Sequence, residues 1–161
     1  MTSSPAEVSQ PAIRDTRSSR GDALLHVQGL TTGFATEEGF ITAVDNVSFS
    51  VQRGEAVALV GESGSGKSVT ALSIMRLVQS PGRIVAGSVF FRGTNLLELP
   101  AREMRRFRGN DIAMIFQEPM TSLNPVFRIG DQIAEAIRIH QNLGRKGARA
   151  KAIEMLELVS I

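Results

Sequence analysis

The sequence contains no cysteine, and this absence excludes several kinds of chemistry. The chain forms no disulfide, has no thiol nucleophile and has no zinc site built on thiolates. Tryptophan and tyrosine are also absent, so the large aromatic side chains are the 8 phenylalanines. No apolar run approaches the ~20 residues that cross a bilayer. The net charge of +2 gives no case for a nucleic-acid surface.

What the composition supports is one globular domain behind a polar tail. The 161 residues are 42% hydrophobic, which is enough for an ordinary core. Residues 1–22 are rich in Ser, Thr, Pro and Arg and poor in large apolar residues, so we predict a disordered tail. This tail lacks the apolar core that a secretory signal needs. Transit peptides to organelles are poor in acidic residues, so Glu7, Asp15 and Asp22 disfavour that interpretation.

Residues 61–68 carry the clearest motif in the sequence. They read Gly-Glu-Ser-Gly-Ser-Gly-Lys-Ser and fit the phosphate-binding template G-x-x-x-x-G-K-[S/T] at every fixed position. The apolar run 56–60 before them predicts a buried parallel strand, and the stretch 68–78 after them predicts a helix packed under a sheet. A chance match of the four fixed positions is expected only about once in several hundred chains of this length. We therefore interpret the segment as a nucleotide-binding loop.

The residue types of this loop suit a polyphosphate. Gly61, Gly64 and Gly66 let the backbone approach the phosphates closely, and successive N–H groups form an anion nest at the helix N-terminus. Lys67 supplies an ammonium to the terminal phosphates, and the Ser68 hydroxyl can ligate Mg²⁺. The predicted cofactors are therefore a nucleoside triphosphate such as ATP, and Mg²⁺. The residues of this segment predicted to bind nucleotide are Gly61, Ser63, Gly64, Ser65, Gly66, Lys67, Ser68 and Val69.

The pattern around the loop predicts an α/β fold. Residues 24–30 and the alternating run 47–51 predict a small antiparallel layer. Residues 88–91 predict a further strand, and residues 100–109 predict a short helix with a proline at its start and a glycine at its end. The apolar run 112–116 predicts a second core strand.

Two amphipathic helices are predicted in the last third of the sequence. The first begins at Ile129, and Asn142 and Gly144 end it. The second begins near Lys146. Its inward-facing residues are predicted to be Ala148, Ala152, Met155, Leu156 and Val159.

Two segments together carry a family resemblance. Residues 61–70 and 112–125 resemble the ATPase subunits of ABC transporters, above all those of the dipeptide, oligopeptide and glutathione import branch. The resemblance implies an ABC-type P-loop NTPase fold beginning at residue 23. Its expected parts are an antiparallel β layer over 23–52, a P-loop core over 53–118, and a Q-loop with the start of a helical subdomain over 119–161.

The resemblance also implies roles for individual positions. Gln117 matches the Q-loop glutamine, which senses the γ-phosphate and Mg²⁺ and holds a water. Residues 118–130 match the region that meets the integral membrane permease subunits. Phe34 lies where the family places an aromatic ring that stacks on adenine, although its residue type alone also fits a core position. At Val69 many relatives carry a threonine, so the hydroxyl is lost there while the backbone N–H is kept.

The family's other catalytic motifs do not occur in these 161 residues: a serine-glycine-rich signature, a second metal aspartate beside the catalytic glutamate, and a switch histidine. We therefore expect an incomplete domain, the N-terminal part of a longer ATPase, with negligible steady-state turnover alone. The resemblance implies a second ATPase domain in a head-to-tail dimer and, indirectly, a periplasmic or extracellular binding protein. It places the protein in the cytoplasm, on the inner face of the plasma membrane.

Two other functions remain open on the residues alone. The first is a soluble phosphate-loop kinase or another non-transport NTPase, in which residues 117–125 would have no role. The second is a fragment that binds nucleotide, or nothing, and catalyses no reaction. The signal that favours the importer over both is the 117–125 segment, because the glycine loop is shared by many nucleotide-binding proteins.

Overall fold

The computed structural model describes residues 23–116 and 122–161, and the protein divides into two compact units. The first unit extends through Thr70 and also takes in Gln79–Asn95, while the second contains Ala71–Val78 and Leu96–Ile161. The elements in sequence order are β1 (Leu25–Thr36), β2 (Gly39–Val51), α1 (Lys67–Ile74), β3 (Gly82–Phe91), β4 (Thr94–Asn95), α2 (Ala101–Phe107), α3 (Ile129–Gln141) and α4 (Arg145–Leu158). The predicted disordered tail, residues 1–22, lies outside the described residues.

The first unit is built on one antiparallel sheet with the strand order β2-β1-β3-β4. Strands β1 and β2 form a long hairpin whose turn is at residues 37–38, and β3 pairs with the other edge of β1. Val27, Leu30 and Val89 are fully buried and form its apolar centre. The predicted antiparallel layer is confirmed, and it is larger than the sequence pattern indicates because β3 belongs to it.

The centre of this sheet is irregular, and polar side chains satisfy part of its backbone. The pairing of β1 with β2 and with β3 shifts register between residues 27 and 33. There the Gly29 N–H donates to the Ser48 hydroxyl at 2.8 Å, and the Asn46 N–H donates to the Thr31 hydroxyl at 3.1 Å. These side chains replace ladder bonds that the bulges remove.

The predictions of core strands at residues 56–60 and 112–116 are wrong. Neither segment forms a strand, and neither belongs to the described sheet. Val60 and Ile115 are 91% and 96% exposed. A parallel strand is defined by hydrogen bonds to neighbouring strands, and apolar sequence cannot supply those partners. The two segments therefore have the composition of buried strands but lack the hydrogen bonds to neighbouring strands that would form one.

Helix α1 ends four residues before the predicted end at Val78. Arg76 has a positive φ of 51°, a left-handed conformation that stops the helix. The carbonyls at this end are occupied by Arg108, which donates from Nε to Met75 O and from Nη2 to Arg76 O, both at 2.8 Å. Burial, and then the charge of Arg76, lower the pKa of Arg108 from its usual value. The Arg108 guanidinium thus caps the C-terminal end of α1.

Helices α3 and α4 form an antiparallel hairpin in the second unit. Asn142, with a φ of 53°, ends α3 as the sequence predicts. Ile137, Ala148 and Ala152 are buried between the helices, with Ile133 and Ala134 packed against them. Two predicted inward-facing residues of the second helix do not fit: Met155 is 46% and Val159 is 64% exposed. Helix α4 therefore buries its alanines against α3 and leaves these larger apolar residues outside.

Within the described ranges, no helix is both long and apolar enough to cross a bilayer.

Candidate nucleotide-binding site

The glycine loop lies between β2 and α1 and closes directly onto the first turn of the helix. The Ser65 N–H donates to Glu62 O at 3.2 Å, which makes a tight turn inside the loop. Lys67 is the first residue of α1, and the Thr70 N–H donates to Gly66 O at 2.8 Å to begin the helical pattern. The N-terminal end of the helix thus comes at the end of the loop, where an anion is favoured.

The ammonium of Lys67 lies inside the curve of the loop. It donates to Gly61 O at 2.7 Å, to Glu62 O at 2.7 Å and to the Ser65 hydroxyl at 3.2 Å. All three N–H donors of the ammonium are therefore directed at the loop that surrounds it. A polyphosphate that entered the loop would meet this cation and could take over its hydrogen bonds.

Two glycines of the loop show why small residues are needed there. Gly64 and Gly66 both have a φ of +82°, which side-chain-bearing residues rarely adopt. A Cβ at Gly66 would lie 2.2 Å from Ala43 O and 3.4 Å from the Cγ2 atom of Val44. The loop is therefore packed against β2 at Gly66. At Gly64 a Cβ would meet nothing within 4 Å, so this part of the loop is open.

The carbonyl that meets Gly66 belongs to a β-bulge. The partner of β1 residues changes from Val44, opposite Thr32, to Thr42, opposite Gly33, so Ala43 is an extra residue in β2. No pattern in the sequence indicates this contact. A bulge depends on how two strands pair, and the local sequence does not specify that pairing.

Phe34 lies on the same face of the sheet as the loop contact. Phe34 and Thr32 are two residues apart in β1, so they share a face, and Thr32 pairs with Val44, whose side chain approaches Gly66. The separation along the strand is about 7 Å. Phe34 is half-buried, so its ring is neither fully enclosed nor fully free. Phe34 thus shares a face with the loop contact, and its stacking role stays a prediction.

The other predicted site residues lie in the loop, in the first turn of α1, or outside the described residues. Ser63 and Ser65 are exposed in the loop, while Ser68 is exposed in the first turn of α1, where its hydroxyl is an oxygen donor of the kind Mg²⁺ prefers. Val69 follows it in the same turn. Gln117 lies outside the described residues, so its predicted role stays a prediction. The donor set of the loop fits a Mg²⁺-polyphosphate: an ammonium, a hydroxyl and backbone N–H groups.

A second candidate surface lies immediately before α3. Residues 122–128 form a turn in which Leu123, Val126 and Phe127 are exposed, Val126 by 83%. Residues 118–121, the start of the predicted permease-contacting segment, lie outside the described residues. The described part is an apolar surface on a short loop, which is typical of an interface.

Comparisons with known proteins agree with the motif. The family model described as ABC transporter matches residues 44–161. The probable peptide ABC transporter ATP-binding protein y4tR of Sinorhizobium fredii is 54% identical over 143 residues, covering 88% of this chain and 43% of that protein. The glutathione import ATP-binding protein GsiA of Escherichia coli is 53% identical over 147 residues, covering 88% of this chain and 23% of that protein. The chain thus spans less than half of each of these relatives.

The fold also has solved counterparts. The dimeric post-hydrolysis structure of the ATP-binding cassette MJ0796, bound to ADP and Pi, matches with a TM-score of 0.73 at 23% identity. The match covers 85% of this chain and 57% of that one. The predicted fold class, an α/β ATP-binding cassette present in part, is therefore confirmed, and so is the predicted resemblance. On the match of the family model and the identity to these relatives, the chain belongs to the ABC transporter family.

Proposed function

We propose that this protein is the nucleotide-binding part of the ATP-binding subunit of an ABC importer for peptides or glutathione. The observation that carries the proposal is the Lys67 ammonium, enclosed by Gly61 O, Glu62 O and the Ser65 hydroxyl at the start of α1. The names of the relatives supply the transport role. A soluble phosphate-loop kinase is not favoured, because those relatives are transport proteins.

In this proposal each loop residue has a defined task. The loop N–H groups and the Lys67 ammonium hold the phosphates of ATP, and the Ser68 hydroxyl binds Mg²⁺ together with Gln117. Bound Mg²⁺ neutralises charge on the β- and γ-phosphates. The N–H of Val69 adds a donor in the first helical turn. Phe34 stacks on the base from the neighbouring edge of the sheet.

Lys67→Ala tests the phosphate site. Loss of a charge-assisted hydrogen-bond donor is expected to weaken ATP binding by about 1.5–3 kcal/mol, roughly 10- to 150-fold. A titration with a fluorescent ATP analogue measures the change. The control is Lys151→Ala, which removes the same charge from the exposed Lys151–Glu154 pair of α4. Equal affinity of wild type and Lys67→Ala would refute the nucleotide-binding assignment.

Phe34→Ala tests the base site. Because stacking needs only a ring face, ATP and GTP are both expected to bind more weakly, by about 1–3 kcal/mol. Phe34→Tyr keeps the ring and should bind like wild type. Phe40→Ala is the matched control, since the Phe40 ring covers Gly33 and therefore lies on the opposite face of the hairpin. Unchanged affinity in a folded Phe34→Ala protein would make Phe34 a packing residue only.

The partners and location follow from the same family assignment. We place the whole protein on the cytoplasmic side of the membrane, with residues 118–130 against integral permease subunits. A second ATPase domain completes the hydrolytic site in a head-to-tail dimer. The MJ0796 cassette, which shares the fold, was solved as a dimer. A binding protein outside the membrane delivers the peptide or glutathione to the permease.

Cross-linking tests the permease contact. Single cysteines in place of Ser122 or Val126 are expected to cross-link to the permease in an assembled transporter, because both positions are exposed beside apolar side chains. The native sequence has no cysteine, so each introduced thiol is the only one in these 161 residues. A cysteine at Ile153, an exposed apolar residue of α4, is the control. Failure at both loop positions in an active transporter would exclude this docking surface.

A further inference from the structure

The Gln132 side chain makes three hydrogen bonds to the turn before α3. Its Oε1 accepts the Asn124 N–H at 2.9 Å, and its Nε2 donates to Asn124 O at 3.0 Å and to Phe127 O at 3.1 Å. The amide therefore uses its oxygen and both of its hydrogens on the backbone of a four-residue turn. The first two bonds join the amide to Asn124 in the way that a neighbouring strand would.

The turn has further bonds of its own. The Asn124 side chain accepts the Val126 N–H at 3.0 Å, and the Phe127 N–H donates to Asn124 O at 3.2 Å. Pro125 restricts the backbone between them. With these groups satisfied, the turn holds Val126 and Phe127 outward, 83% and 63% exposed. Gln132 lies in the first turn of α3, so its amide ties the 124–127 turn to the start of that helix.

We propose that Gln132 is a positioning residue that pre-forms the 124–127 turn for binding of the permease subunit. The inference rests on the proposed function, because it needs the permease as the partner of this turn. Two large apolar side chains on a turn would be mobile without internal support, and each loses freedom on binding. A turn already fixed by the Gln132 amide avoids part of that ordering cost. Gln132 itself need not touch the partner.

The experiment uses the whole subunit in the assembled transporter, with a single cysteine at Val126 as the cross-linking site. Gln132→Leu removes all three side-chain bonds with little change in volume. Gln132→Glu keeps the acceptor for the Asn124 N–H and loses the two donors. Asn124→Ala is the matched control, because the Gln132 bonds go to backbone atoms of Asn124 and Phe127. This variant loses the local bond to the Val126 N–H and keeps the three Gln132 bonds.

The expected result is a graded loss of partner binding with the nucleotide site unaffected. Cross-linking yield at limiting permease should fall at least about tenfold in Gln132→Leu and in Gln132→Glu, because the carboxylate of the latter is acceptor-only and faces the carbonyls of Asn124 and Phe127. The fall should be least in Asn124→Ala, which loses one bond. Hydrogen exchange of the Asn124 amide should speed up in Gln132→Leu without any partner. The affinity for ATP should remain at the wild-type value.

The outcomes separate this inference from the docking proposal. If Val126→Cys cross-links equally well with and without Gln132, the positioning role is wrong and the docking surface stands. If neither Ser122→Cys nor Val126→Cys cross-links with Gln132 present, the docking surface is wrong and the inference falls with it. A lowered unfolding midpoint in Gln132→Leu with normal cross-linking would make Gln132 a stabilising residue only. Should Gln132→Leu not fold, the comparison of Gln132→Glu with Asn124→Ala decides the question.

Discussion

Replacing Gly87 with alanine is expected to destabilise the β-sheet unit strongly. Gly87 is in β3 with a φ of +99°, and a Cβ there would lie 2.6 Å from Gly29 O and 2.6 Å from Leu30 Cα. Both atoms belong to the backbone of the central strand β1, so no side-chain rotation relieves the overlap. Backbone strain of about 1–3 kcal/mol adds to an overpacking cost of similar size. We expect a loss of about 3–5 kcal/mol in the free energy of unfolding.

Gly93→Ala provides the control for the strain alone. Gly93 has a φ of +79°, and a Cβ there would meet nothing within 4 Å. Its cost should therefore stay within the strain of about 1–3 kcal/mol. Urea denaturation followed by far-ultraviolet circular dichroism measures both variants. Equal stabilities for Gly87→Ala and Gly93→Ala would show that β3 can move away from β1 at little cost, and that the close approach of these strands is not needed.

The helices of the second half can be predicted from the sequence because their signals are local. Ile129 starts a stripe of apolar residues at helical spacing, and Asn142 has a side chain that tolerates the left-handed conformation at a helix end. Both features depend on neighbours within one or two turns. The helix that follows the glycine loop is predictable for the same reason. Its early end at Arg76 is not, because it depends on Arg108, 32 residues further on.

The sheet can be predicted only in part, because pairing is not local. The alternating run 47–51 correctly indicates a strand, but β2 extends from Gly39. Bulges around Gly29, Gly33 and Ala43 break the two-residue period, so the pattern indicates short strands where long ones exist. The runs 56–60 and 112–116 show the opposite error. Their apolar composition is that of buried strands, while strand formation needs partners that composition does not specify.

The candidate site, like the fold, is predictable where it depends on local sequence and not where it depends on distant residues. Lys67 and the glycines can be identified from their spacing, and the structure brings the Lys67 ammonium to Gly61, Glu62 and Ser65 as a phosphate loop requires. The support of the loop by Ala43 is not predictable, since it comes from a bulge in another element. The Gln132 contacts also escape sequence reasoning, although a glutamine in the first turn of a helix, after an Asn-Pro turn, is a usable signal.

Gly66→Ala is expected to abolish useful nucleotide binding. The Cβ would lie 2.2 Å from Ala43 O, a backbone atom of β2, at a φ of +82°. To relieve this overlap the loop must leave β2, and Lys67 directly follows Gly66, so the ammonium would leave the position it has among Gly61, Glu62 and Ser65. We expect at least about a 30-fold loss of affinity for a fluorescent ATP analogue, since strain and overlap each cost at least about 1 kcal/mol.

Gly64→Ala is the matched control for Gly66→Ala, because the two positions share the loop and the backbone conformation and differ in the contact with β2. Gly64 has the same φ of +82° in the same loop, but a Cβ there meets no atom within 4 Å. Backbone strain therefore weakens both variants, and only Gly66→Ala adds the overlap with Ala43. The affinity of Gly66→Ala should be lower than that of Gly64→Ala by at least about tenfold, which corresponds to ~1.4 kcal/mol. Circular dichroism of both proteins checks that the sheet remains folded. Equal affinities in two folded variants would mean that contact with the Ala43 bulge does not set the position of the loop, and that the loop holds its binding conformation through the Lys67 hydrogen bonds alone.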